Sequence, residues 1–200
     1  MSDYCTLAQL KAALRITDAV DDAQLELAID SASRFVDQFC ERSFTAASGT
    51  SVRDYVPSGR YEPLEIDDAT SIVQVRIDDD LDGTFAEVLS AIDYQAEPVN
   101  GRVAGQVWPY TTLRPFEDGY WPLDYYGRRA TVRVSATFGW PAIPDAVRQA
   151  TVLQASRLFT RYDSPLGVAG WGDMGVMRVS YRVDPDVAML LAPYRRLRAA

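Results

Sequence analysis

The sequence has no histidine and one lysine, Lys11, among its 20 basic residues. Without histidine, the usual base of serine and cysteine hydrolases is missing, and so is the commonest ligand for zinc, copper or iron. A Schiff-base or phosphate-loop lysine would have to be Lys11, which stands in no such motif. The two cysteines, Cys5 and Cys40, lie far apart with no C-x-x-C pairing, which argues against a disulfide framework. Cys40 continues an apolar helical stripe and reads as a buried thiol. No stretch approaches the ~18 apolar residues of a membrane span. The opening MSDYCTLAQL lacks the basic head and apolar run of a signal peptide. The expectation is assembly in a cytoplasm, with no membrane contact. No internal repeats are found, and nothing in the chemistry calls for a cofactor.

What is present is ordinary for a soluble globular chain: 48% hydrophobic and 24% charged over 200 residues. That length fits one domain with an inserted sub-domain and buries roughly 70% of the unfolded surface. The net charge of −8 repels nucleic acid overall, because DNA affinity comes largely from Lys and Arg on phosphates. Such a protein could surround DNA without gripping it.

Hydrophobic periodicity divides the chain into residues 1–44, 45–140 and 141–200. In the first part, Thr6 and Gln9 form a capping-box pair, and Leu7, Leu10 and Leu14 line one face of a short helix. Asp21 and Gln24 offer a second capping pair. A longer helix then runs to about Arg42, with Leu25, Ala28, Ile29, Ala32, Phe35, Val36, Phe39 and Cys40 as its stripe.

Residues 45–140 are rich in β-branched and aromatic side chains with Gly and Pro punctuation. Val73, Val75 and Ile77 alternate with polar neighbours. Ala130, Val132, Val134, Ala136 and Phe138 do the same, as a half-buried strand requires. Asn100-Gly101 marks a tight turn.

From Pro144, a helix carries Val147, Ala150, Thr151, Gln154, Leu158 and Tyr162 on one face. A glycine-rich loop follows, 166–175, and then alternation at Met177, Val179, Tyr181 and Val183. Asp184-Pro185 opens a last helix as N-cap and first-turn proline. The expected fold class is α+β: terminal helices packed together around an inserted antiparallel β region.

Three constellations invite a functional reading. Asp78, Asp80, Asp82 and Gly83 fit the opening of a calcium loop, but position twelve is Leu89 and the nearest acid, Glu87, stands at position ten. The flanks look like strands, and Asp82-Gly83 is itself a hairpin-turn signal, so the turn reading is preferred. In the loop, Leu166, Gly167, Gly170, Trp171, Gly172, Met174 and Gly175 serve either a mobile connector or a segment that orders against a neighbouring subunit. The aromatic stretch 108–129 fits rings packed on their own sheet or a subunit interface, ahead of a sugar site. Carboxylates are plentiful, but no spacing singles out an acid–base pair.

The opening CTLAQLKAALRITDAVDDAQLELAIDSASRFVDQFCERSF resembles the N-terminal helices of the head–tail connector (adaptor) family of tailed bacteriophages. The segments ATVLQASRLFTRYDSPLGVAG and RVDPDVAMLLAPYRR resemble its actinophage-type members. Together they cover about two fifths of the chain. The long β region departs from the minimal helical members. The resemblance implies a non-enzymatic ring, usually of twelve subunits, in the neck of the virion. Its partners would be the portal protein above, further copies of itself, and a stopper or tail completion protein below. Double-stranded DNA would pass through the centre. It also implies that the terminal element reaches the portal, through Asp184, Val187, Leu190, Leu191, Tyr194, Arg195, Arg196 and Arg198. The alternative is a calcium-dependent or carbohydrate-binding β module of a virion or cell surface.

Overall fold

The computed structural model describes residues 2–45, 49–103, 106–116, 119–162, 168–169, 177–178 and 183–196. The chain opens with helices α1 (Leu7–Leu14) and α2 (Asp22–Cys40). Strands β1 (Ser51–Tyr55), β2 (Leu64–Ile77), β3 (Glu87–Leu89) and β4 (Tyr94–Glu97) follow. Next come β5 (Arg102–Val103), β6 (Gln106–Val107), β7 (Tyr110–Pro115) and β8 (Val132–Phe138). The chain then forms α3 (Asp145–Tyr162), the short strands β9 (Val168–Ala169) and β10 (Met177–Arg178), α4 (Pro185–Leu191) and a 3-10 turn at Ala192–Tyr194. This is an α+β protein. It divides into a helical unit, Met1–Phe44 with Ile143–Ala200, and a sheet unit, Thr45–Ala142.

In the helical unit, Thr6 starts α1 as its sequence requires. Its hydroxyl accepts from the Gln9 amide at 3.2 Å, and the Gln9 side chain accepts from the Thr6 amide at 2.9 Å. The second expected capping pair does not form. Asp21 holds φ −102° and ψ 13°, not the extended backbone that aims a side-chain oxygen at the free amides, and it makes no capping bond. Lys11 instead reaches Asp22 in the first turn of α2 at 2.6 Å. The helix stops at Cys40, with Glu41 left-handed at φ 53°. The α2 stripe is largely as read: Leu25, Ala28, Ile29, Ala32, Val36 and Cys40 are buried. Phe35 and Phe39 lie half-buried at its margin and stack at 5.8 Å.

On α3, Val147, Ala150, Thr151 and Ala155 are buried, and Leu158 and Phe159 pack on the α1–α2 core. Tyr162, expected on the same face, is exposed, because the end of the helix runs past that core.

In the sheet unit, the strand order is β1-β8-β2-β7-β4, all antiparallel, with β3 added beside β2. Strand β8 shows clean alternation: Val132, Val134, Ala136 and Phe138 are buried. Strand β2 does not. Val75 and Ile77 are buried, but Val73 is 63% exposed. The register of β2 against β8 shifts between Ala69 and Ser71 and again between Ile72 and Gln74. Each bulge inserts a residue and resets which face a side chain meets, so simple period two fails there. Trp121 and Trp140 are the largest fully buried side chains. Their indole N–H groups find the Glu62 carbonyl at 2.9 Å and the Asp68 carboxylate at 2.8 Å. The turn before β5 is at Val99–Asn100, one residue ahead of expectation. Gly101 follows it, where a Cβ would meet the Trp108 carbonyl at 3.0 Å.

Candidate connector interface

The last described segment is fastened to the helical unit at every turn. Asp184 accepts from the Asp186 amide at 2.9 Å and pairs with Arg157 of α3 at 3.3 Å. Its N-cap role and the first-turn proline are as read. The apolar residues expected to form a docking face are arranged differently. Val187, Leu191 and Tyr194 are buried within the protomer, because α4 packs on α3 and reaches α2. Leu190 is half-buried, and Met189 is the apolar residue left exposed. The Tyr194 ring meets Phe44 edge-on at 5.8 Å. Burial, then the nearby Asp145, raises its phenol pKa. Arg195 places its guanidinium 5.1 Å from the centre of the Phe39 ring, and the Arg196 amide donates to the Cys40 carbonyl at 3.0 Å. Arg198 lies outside the described residues.

Beneath this element lies a cluster centred on Tyr4. Its hydroxyl donates to Asp37, accepts from the Phe44 amide at 3.0 Å, and lies 3.4 Å from the Ser43 hydroxyl. Its own amide donates to the Ser33 hydroxyl at 3.1 Å, and Arg34 reaches Asp37 at 2.8 Å and the Ser2 carbonyl at 2.8 Å. Burial, reinforced by the bond to Asp37, pushes the Tyr4 phenol up to about 12. Burial raises Asp37 as well, against the lowering pull of Tyr4 and Arg34. Cys5 and Cys40 are free and buried thiols. Periodicity missed this cluster because Tyr4 precedes the first helix and Ser33 is a polar residue on an apolar stripe. The available signal was an aromatic residue two positions ahead of the Thr6 cap.

Of the glycine-rich loop, Leu166, Gly167, Gly170, Trp171, Gly172, Met174 and Gly175 lie outside the described residues, as do Val179 and Tyr181 of the expected strand. Val168–Ala169 of the loop pairs antiparallel with Met177–Arg178, the start of the expected strand.

The acidic stretch is built as a loop-closing device. Asp78 is 1% exposed, and its carboxylate accepts from the amides of Asp82 at 3.1 Å and Gly83 at 2.9 Å. Asp82 in turn accepts from the Thr84 amide at 2.6 Å. β2 and β3 are therefore joined by a nine-residue loop, 78–86, not by a tight Asp82-Gly83 turn. Leu81 at φ 58° and Gly83 at φ 93° carry its left-handed positions. Asp78 points inward to hold the loop, the opposite of a solvent-facing metal ligand. In the aromatic stretch, Trp121 packs on its own sheet, as one reading required, whereas Tyr125 and Tyr126 stand exposed.

Residues 4–80 match the family model described as phage gp6-like head-tail connector protein. The match spans α1, α2, β1 and β2. A chain from the neck of an empty gene transfer agent particle, computed with C6 symmetry, superposes with a TM-score of 0.55 at 15% identity. The match covers 97% of this protein and 90% of that chain. A chain of the virion of the native gene transfer agent particle gives 0.51 at 17% identity, with the same coverage. Comparison with curated proteins returned no match. The likeness includes the sheet unit, because nearly all of this protein is covered. The β region thus belongs to the fold that the two chains share with this protein.

Proposed function

We propose that this protein is a structural head–tail adaptor: a ring, expected as a dodecamer, seated under the portal, with DNA passing through its centre. A stopper or tail completion protein would dock below. The observation that carries this reading is the coincidence of a connector sequence at residues 4–80 with a neck-component fold over 97% of the chain. Charge supports it. A net charge of −8 offers few anchors for phosphate, so DNA in a central channel would slide instead of binding. A chain without histidine that needs only to be gripped and to enclose is consistent with a structural part, not a catalyst.

In this reading the terminal element faces the portal through Asp184, Leu190, Arg195, Arg196 and Arg198. Val187, Leu191 and Tyr194 serve it from below by fixing the element to α3 and to Phe44. The loop 166–175 is where neighbouring subunits would order one another. The test is electron microscopy of the chain mixed with its portal: rings stacked on the portal support the reading, and dispersed single subunits refute it.

A further inference from the structure

We propose that the sheet unit carries both halves of a head-to-tail contact between copies of this chain, with Tyr125 and Tyr126 of one copy seated in a groove of the next. This rests on the ring reading above. A ring is closed by a heterologous contact, which needs two different patches on each subunit. The sheet unit displays two that fit each other.

The first patch is a knob. Tyr125 is 90% and Tyr126 74% exposed, and their rings meet edge-on with centres 5.0 Å apart. Gly127, at φ 61°, closes the turn with its amide on the Asp124 carbonyl at 2.8 Å. Two aromatic rings already packed on each other lose little freedom on binding, and tyrosine is among the residues that dominate interface energy.

The second patch is a groove of about 480 Å³, formed where the bulges of β2 open the sheet beside β4 and β7. Ile72, Tyr94, Ala96, Val99 and Tyr110 line it, with Thr70 and Ser71 on its polar side. Val99 is exposed, and so is Ile92, which follows the lining residue Ala91 in the chain. A concavity of mixed polar and apolar lining beside exposed aliphatic side chains is the composition of a protein interface.

The knob does not fill the groove of its own chain. Its turn is anchored at the two ends of β2: Trp121 bonds the Arg60 and Glu62 carbonyls, and Arg129 bonds the Leu81 carbonyl. The groove lies at the bulged middle of β2, and Tyr125 and Tyr126, exposed, are not among its lining. Charge also favours a second copy. Asp124 precedes the knob and exposed Arg128 and Arg129 follow it, a net positive surround, whereas Asp93 and Glu97, the latter shared with Arg114, adjoin the lining residues Tyr94 and Ala96 in the chain. In a protein of net charge −8, copies repel unless their contacting patches are of opposite sign.

The test uses the full chain. Tyr126→Cys and Val99→Cys are purified separately, mixed at high concentration and oxidised. The native thiols are buried and do not compete. A disulfide-linked dimer is expected in the mixture, in roughly tenfold excess over either variant alone. The Tyr125→Ser/Tyr126→Ser double variant is expected to raise the concentration needed for assembly more than about tenfold, with an unchanged unfolding midpoint. If rings form at the wild-type concentration in the double variant, or form without the mixed disulfide, the contact is wrong and the ring reading stands. If the wild-type chain gives no closed assembly, alone or on its portal, the ring reading falls and the contact falls with it.

Discussion

The Tyr4 hydroxyl donates to the Asp37 carboxylate and accepts from the Phe44 amide, so one phenol joins the chain's opening segment to the last turn of α2 and to the segment beyond it. Removing only the oxygen, in Tyr4→Phe, keeps the ring against Phe44 but takes one hydrogen bond from the buried Phe44 amide and one from the Asp37 carboxylate, which keeps Arg34. A loss of about 1–3 kcal/mol in unfolding free energy is expected by urea denaturation. No loss would mean that the cluster is incidental.

The same burial makes the fold sensitive to base. Burial raises the Tyr4 and Tyr55 phenols from 10.0 to about 12, the Cys5 thiol from 9.0 to about 11 and the Cys40 thiol from 9.0 to about 12. In each case the folded pKa lies above the unfolded one, and the protonated form is the one favoured by folding. The stabilisation is complete below the unfolded value and is lost as pH climbs through the folded value. Denaturant midpoints are therefore expected to hold up to about pH 9 and to fall steadily between pH 9 and 12. Cys40→Ser should remove part of the fall at its lower end.

The loop 78–86 gives a clear test of calcium. Asp78→Ala frees two amides that the buried carboxylate now holds, and is expected to cost about 1–3 kcal/mol. Asp80→Ala is expected to be nearly neutral. Millimolar calcium should leave the melting temperature of all three proteins unchanged. A calcium-dependent rise that Asp80→Ala abolishes would restore the metal reading.

Asp184 has two jobs that substitution separates. Asp184→Asn keeps an oxygen for the Asp186 amide but loses the ion pair with Arg157. Asp184→Ala loses both, and N-cap removal costs about 0.5–2 kcal/mol. Hydrogen exchange at the start of α4 should quicken strongly in the alanine variant and slightly in the asparagine variant. Equal exchange in the two would show that the capping oxygen does not hold the element.

Much of the fold was legible because the local signals are short-range. The Thr6–Gln9 box, the α2 stripe, the β8 alternation and the Asp184-Pro185 start each depend on residues within one or two turns. The misreadings depend on distant partners. Val73 turns outward because β2 shifts register against β8, which lies some sixty residues later in the chain. Val187, Leu191 and Tyr194 look like a free apolar face until α3 and Phe44 cover them. Asp78 reads correctly as part of a turn, but the direction of its carboxylate, inward onto the Asp82 and Gly83 amides, is not encoded in the pattern. The knob and groove of the sheet unit follow from which side chains remain uncovered after folding, a property no periodicity encodes.

The central claim is that this chain closes into a ring in a virion neck, and the most direct measurement is its native mass with and without portal. The account predicts that, on portal, the 22.2 kDa chain enters one closed species whose mass exceeds the portal's by a fixed integral number of chains. A 22.2 kDa species that persists beside unmodified portal at every concentration would contradict it.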